Sequence, residues 1–73
     1  MTISKSKTIS KKLGQRLKEL RSQKKMSQGD IARALGVHRA YISGIERGAR
    51  NPTLANIERI AKALGVEVSK LLE

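Results

Sequence analysis

Seventy-three residues with a single aromatic side chain, Tyr41, make one small domain whose core must be built from Leu, Ile, Val and Ala. The chain has no cysteine, which excludes disulfides and thiolate metal sites and points to a reducing, cytoplasmic setting; no apolar run approaches the roughly 20 residues of a membrane span, and no apolar signal-peptide stretch opens the chain. Sixteen Lys and Arg against six Asp and Glu give a formal +10 that crowds to the front: net +8 over residues 1 to 25, +2 over 26 to 50 and zero over 51 to 73. That asymmetry implies a polyanionic partner for the first two thirds and a different use for the last.

In chain order, residues 1–9 (MTISKSKTI) are polar and basic with little periodicity and read as a mobile arm. Ser10 is placed as the N-cap of a first helix running to about Gln23, with Leu13, Leu17 and Leu20 as its apolar stripe. Lys11, Lys12, Arg16 and Lys18 lie largely off that stripe, and Gly14 costs about 1 kcal/mol against Ala in a helix interior. Lys24 and Lys25 suit a helix C-terminus. Ser27, three residues before Asp30, resembles a capping box that opens a second helix to about Leu35, with Gly36 free to take the left-handed conformation that ends it. A third helix covers about Arg39 to Glu46 and stops at Gly48, and Gly48 to Thr53 is a turn broken by Asn51-Pro52. Thr53 caps a fourth helix, about Leu54 to Leu64, whose stripe is Leu54, Ile57, Ile60, Ala61 and Leu64 and whose stop is Gly65; Val66, Val68, Leu71 and Leu72 end the chain in a short fifth helix. The fold class is all-α: a compact five-helix domain over residues 10–73, with no strand-like alternation and no repeat.

The second and third helices form the informative unit. Ile31, Ala32 and Leu35 before Gly36, and Val37, Ile42 and Ile45 after it, give each helix an inner face. On a helical wheel Ala40, Ser43, Gly44 and Arg47 fill the opposite arc of the third helix, with Arg39 at its edge. An α-helix fits the DNA major groove and reads base edges from its N-terminal residues. There Arg39 can present a bidentate fork to guanine, worth about 1–3 kcal/mol of discrimination. Ala40 can touch a thymine methyl, Ser43 can reach a phosphate or a base edge, and Gly44 permits close approach. Tyr41 suits either packing at the helix edge or contact with the DNA, and Arg47 either a phosphate or the solvent.

SQGDIARALGV, YISGIERG and NPTLANIERIAKALGV together resemble the helix-turn-helix DNA-binding domain of the phage repressor and Cro type (lambda repressor-like), over about Leu13 to Leu72. HRAYISGIERGARNPT is more narrowly similar to the restriction–modification controller proteins, small regulators of their own operon. The resemblance implies that Gln28 meets a phosphate at the start of the second helix, where the helix N-terminus already favours anions. It implies that Arg50 and Asn51 meet the sugar–phosphate backbone beyond the third helix. It also implies that Arg21 pairs with Glu46, which the wheel places beside the inward face; breaking such a buried pair costs about 3–5 kcal/mol. His38 departs from the Ser, Thr, Asp or Asn usual at an N-cap.

The neutral last third carries Leu64, Val66, Val68, Leu71 and Leu72, more apolar side chains than so small a core can cover. In the resembled family this end forms a two-fold contact, which implies a homodimer with two recognition helices about 34–36 Å apart on a pseudo-palindromic operator. The controller resemblance implies regulation by occupancy, blocking or recruiting RNA polymerase. A phage-type repressor, or an antitoxin-like or coactivator-like interaction module on the same fold, is the alternative; RNA or an anionic membrane is a further rival for the basic stretch. No His/Cys/carboxylate cluster has metal-ligand spacing and no nucleophile–base set exists, so neither an enzyme nor a cofactor or small-molecule ligand is expected.

Overall fold

The computed structural model describes the backbone over residues 5–73 and the side chains from Ser10 onward. It holds five helices: α1 (Lys5–Gln23), α2 (Gln28–Leu35), α3 (Arg39–Glu46), α4 (Leu54–Leu64) and α5 (Val68–Leu72), with no strand among the described residues. The all-α expectation holds, and the bounds of α2, α3 and α4 fall where the caps and glycines place them.

The start of α1 does not fall there. The helix begins at Lys5, so residues 5–9 of the expected arm are helical; residues 1–4 lie outside the described residues. The physical reason lies in Ser10. It is buried, and its hydroxyl donates to Asn51 Oδ1 at 3.1 Å, a contact 41 residues away in sequence, rather than capping a helix.

Elsewhere the local chemistry sets the ends. Ser27 Oγ accepts from the Asp30 N–H at 3.0 Å while Asp30 Oδ2 accepts from the Ser27 N–H at 2.8 Å, a complete capping box. The bond from the Ser27 main chain, and then that from its hydroxyl, hold the Asp30 carboxyl below its ordinary 3.8. Thr53 Oγ1 accepts from the Asn56 N–H at 3.1 Å to open α4. His38 opens α3 without any side-chain cap bond. Gly36, at φ 73°, ends α2: its N–H donates to Arg33 O (3.3 Å) and that of Val37 to Ala32 O (3.0 Å), the Schellman pair. The same pair closes α1, from Lys25 to Ser22 O and from Met26 to Arg21 O (both 3.0 Å), but there a lysine sits at φ 58°.

α1 lies across α3 and α5, α2 packs on α3 and α4, and α4 on α5. Leu13, Leu17 and Leu20 of α1 meet Ile31, Ala32 and Leu35 of α2, Ile42 and Ile45 of α3, and Ile60, Ala61, Leu64 and Leu71 in one buried cluster. Burying such an aliphatic side chain stabilises the fold by about 1.5–3 kcal/mol. The crossing of α1 on α3 needs Gly14, because a Cβ there would stand 2.7 Å from Glu46 O and closer still to Ile45 O. Leu64 (3% exposed) and Leu71 (1%) are core residues, so they leave the set expected at a dimer contact. They join Ile60 and Ala61 in the buried cluster where α5 packs on both α1 and α4. Val66 and Val68 are half-buried against the core, Leu72 (55%) is exposed at this end, and Leu54 (67%) is exposed at the start of α4.

Candidate nucleic-acid interface

α3 exposes Arg39 and Ala40, and Arg47 follows exposed at its C-cap, with Ser43 half-exposed between them, while Ile42 and Ile45 are fully buried on the opposite side. α2 packs on it, and the turn after α3 exposes Arg50 and Asn51, with the Arg50 stem lying against Gly44 of α3. Lys11 of α1 lies against Gly48 in that turn, adding a further cation beside it.

Arg39 is not loose. Its Nη1 donates to Gln28 Oε1 at 2.9 Å; Gln28 Nε2 donates to Glu46 Oε1 at 3.0 Å; Glu46 accepts from Arg21 Nε (2.6 Å) and Nη2 (3.1 Å). Arg21 is anchored in turn by donation from Nη1 to Met26 O at 2.8 Å. The chain of bonds runs from α1 through the end of α3 and the start of α2 to the first residue of α3. Its polarity is forced, since a guanidinium only donates and a carboxylate only accepts, so the Gln28 amide can face just one way. The Arg21–Glu46 pair is largely enclosed, with 15% and 5% of the two side chains exposed, and the Glu46 hydrogen bond raises the Arg21 pKa further. One turn of side chain thus ties scaffold to surface.

Gln28 was expected to meet a phosphate with both its side chain and its backbone amide; in the structure both ends of the side-chain amide are engaged, with Glu46 and Arg39. What remains open at the start of α2 is main chain: the N–H groups of Gln28 and Gly29 make no hydrogen bond among the described residues, while the Ser27 hydroxyl is taken by Asp30 and the Asp30 carboxylate by Ser27 and Arg33. Two N–H groups at a helix N-terminus suit an anion.

Gly44 corrects the wheel. It is buried, with its own carbonyl accepting from the N–H groups of Ala49 (2.9 Å) and Arg50 (3.1 Å), and a Cβ on it would lie 2.6 Å from Arg50 Cγ. The missing side chain makes room for the Arg50 stem rather than for a base, so Gly44 leaves the reading set and Arg50 takes its place at the surface. The Arg50 guanidinium stands 5.7 Å from the centroid of the Tyr41 ring. Asn51 accepts the Ser10 bond through Oδ1, which leaves its NH2 group to donate outward. Arg47 folds back along its helix, Nε donating to Ser43 O at 3.4 Å. His38 is exposed beside the start of α3. Sequence reasoning missed Asn56, which donates from Nδ2 to the Tyr41 hydroxyl at 3.0 Å; its position in the first turn of α4 gave no signal of that reach.

The pattern of a helix-turn-helix family matches residues 17–71, which spans α2, α3 and most of what packs on them. The chain belongs to that helix-turn-helix family. Among individual relatives it is 51% identical over 61 residues to the control protein C.BamHI of Bacillus amyloliquefaciens, covering 82% of this chain and 75% of that one. The crystal structure of the restriction–modification controller protein C.AhdI from Aeromonas hydrophila superposes with a TM-score of 0.82 at 47% identity, covering 85% of this chain and 94% of that one. A second controller protein, C.Esp1396I, determined as a tetramer in complex with its natural 35 base-pair operator, superposes with a TM-score of 0.74 at 34% identity, covering 89% and 96%. The controller-type helix-turn-helix architecture expected from the sequence is thus the one present. Among the described residues no helix is long and apolar enough to cross a membrane, and no group of His, Cys, Asp and Glu could hold a metal ion.

Proposed function

We propose that this helix-turn-helix protein is a sequence-specific regulator of transcription that binds double-stranded DNA as a homodimer on a pseudo-palindromic operator, controlling its own operon within a restriction–modification system from the cytoplasm. The observation that carries this reading is the tethered Arg39 at the exposed start of α3, flanked by the open N–H groups of α2 and by Arg50 and Asn51. Ordering a long side chain before binding lowers the entropy lost on contact. Arg39 forks to a guanine, Ala40 meets a thymine methyl, and Ser43 reaches a base edge or phosphate. The Gln28 and Gly29 main chain, Arg47, Arg50, Asn51 and Tyr41 fix the register on the phosphates. Controller relatives such as C.Esp1396I, whose structure is that of a tetramer on its operator, support both the ligand and an assembly of copies.

The dimer contact is drawn from Leu72, Val66 and Val68, the apolar side chains that the core leaves open or half-open at the α4–α5 end. Regulation in this reading follows from where the dimer sits, either excluding RNA polymerase or contacting it, without a small-molecule effector or catalysis.

Competition tests the reading. The chain is bound to a labelled random-sequence duplex pool and challenged with unlabelled duplex, random RNA and acidic phospholipid vesicles. The proposal expects duplex to compete far better than either rival; RNA or vesicles competing equally well would overturn it.

A further inference from the structure

Tyr41 is half-buried at the edge of α3, between Arg50 on its ring and Asn56 on its hydroxyl. Asn56 is the third residue of α4. At the equivalent place in α2, Asp30 reaches back to the N-cap main chain; Asn56 instead sends its side chain across to α3, while its own N–H satisfies Thr53. The other end of that amide is held: Asn56 Oδ1 accepts from Arg59 Nη1 at 3.2 Å, and Arg59 Nη2 donates to Leu35 O at the end of α2.

The order of donors follows from chemistry alone. A guanidinium carries no acceptor, so the carbonyl end of Asn56 must face Arg59 and the NH2 end must face Tyr41. The phenol oxygen is therefore the acceptor in that bond, and its own proton finds no acceptor among the described residues. We propose that Asn56, locked in one orientation by Arg59, is a positioning residue that makes Tyr41 an outward hydrogen-bond donor to a phosphate oxygen of the DNA. This rests on the reading of the α3 surface as a duplex interface. Donation to a charged oxygen is stronger than to a neutral one, and a neutral phenol releases no counterion. Its loss therefore weakens binding without changing the salt dependence.

The test is a double-mutant cycle in the full chain, measured on the duplex that the native chain enriches from a random pool. Tyr41→Phe should weaken binding about tenfold, and Asn56→Ala about threefold or more. In the Tyr41→Phe chain, Asn56→Ala should weaken binding no further, and the salt slope should be the same for all four proteins. Thr53 still caps α4 in Asn56→Ala, and thermal unfolding of each variant checks that it is folded at the assay temperature. An equal loss from Asn56→Ala in both backgrounds, or none in either, would overturn the proposal. A native chain that enriches no duplex would overturn the interface reading itself, and this proposal with it.

Discussion

Replacing Gly14 by Ala tests the crossing on which the position of α3 depends. In an exposed helix interior the exchange would stabilise the protein by about 1 kcal/mol, because glycine is the poorer helix former. Here the added Cβ would meet main chain only: Glu46 O at 2.7 Å, Glu46 C at 2.9 Å and, nearer than both, Ile45 O. None of these atoms can rotate away as a side-chain tip would. α1 and α3 must separate, loosening Leu13 and Leu17 against Ile45, and overpacking of this kind costs about 1–3 kcal/mol and occasionally more. With only main chain to yield, the cost lies at the upper end of that range, and the helix-forming gain of about 1 kcal/mol leaves a net loss of about 2 kcal/mol. For a domain of this size each kcal/mol moves Tm by about 4–8 °C. Thermal unfolding followed by far-ultraviolet circular dichroism, at one fixed protein concentration so that dimerisation does not shift the midpoint, gives the answer. A Gly14→Ala chain as stable as the native one, or more so, would refute the close crossing.

Three further outcomes follow from local geometry. Gly44→Ala meets the flexible Arg50 stem rather than main chain, so stability should hold or rise by up to about 1 kcal/mol in urea unfolding while duplex affinity falls as Arg50 is displaced. Loss of stability with unchanged affinity would contradict this. Lys25→Gly relieves a side chain at φ 58°, whose cost of about 1–2 kcal/mol is partly offset by the greater chain entropy of unfolded glycine, for a net gain of about 0.5–1 kcal/mol; no rise in Tm would show that the lysine is unstrained. The Asp30 carboxyl titrates below its ordinary 3.8 in the folded protein, so the unfolded chain binds the extra proton first. Its contribution is present in full above that ordinary value and is lost as pH falls through the lowered one. Asp30→Asn should therefore flatten the acid limb of a stability-against-pH curve below about pH 4, and an unaltered limb would argue against the capping box.

What could be read from the sequence was whatever is periodic or local. Leu13, Leu17 and Leu20 declare their stripe by spacing, Ser27 and Asp30 their cap by a three-residue interval, and Gly36 its turn by composition. Arg21 and Glu46, 25 residues apart, were placed together only through the family resemblance. The misreadings share a physical origin in tertiary contacts that no spacing encodes. Ser10 looks like an N-cap until Asn51 takes its hydroxyl. Gly44 lies on the outer arc of the wheel, but the turn folds Arg50 over it. Leu64 and Leu72 are the same amino acid near the same end, and only the packing of α5 against α4 and α1 decides which is core and which is surface. Tyr41 gave no preference between packing and contact because its hydroxyl is shared with Asn56, fifteen residues on.

Site selection tests most directly whether α3 reads DNA through Arg39 in two symmetry-related copies. The native chain and Arg39→Ala are each used to enrich bound sequences from a random duplex pool. The native chain should return two inverted half-sites about one helical turn apart, each with a fixed guanine. Arg39→Ala should lose discrimination at that guanine, by about 1–3 kcal/mol, while its preference at other positions persists. An Arg39→Ala chain that still selects the same guanine, or a native chain that selects no two-fold motif, would contradict the account.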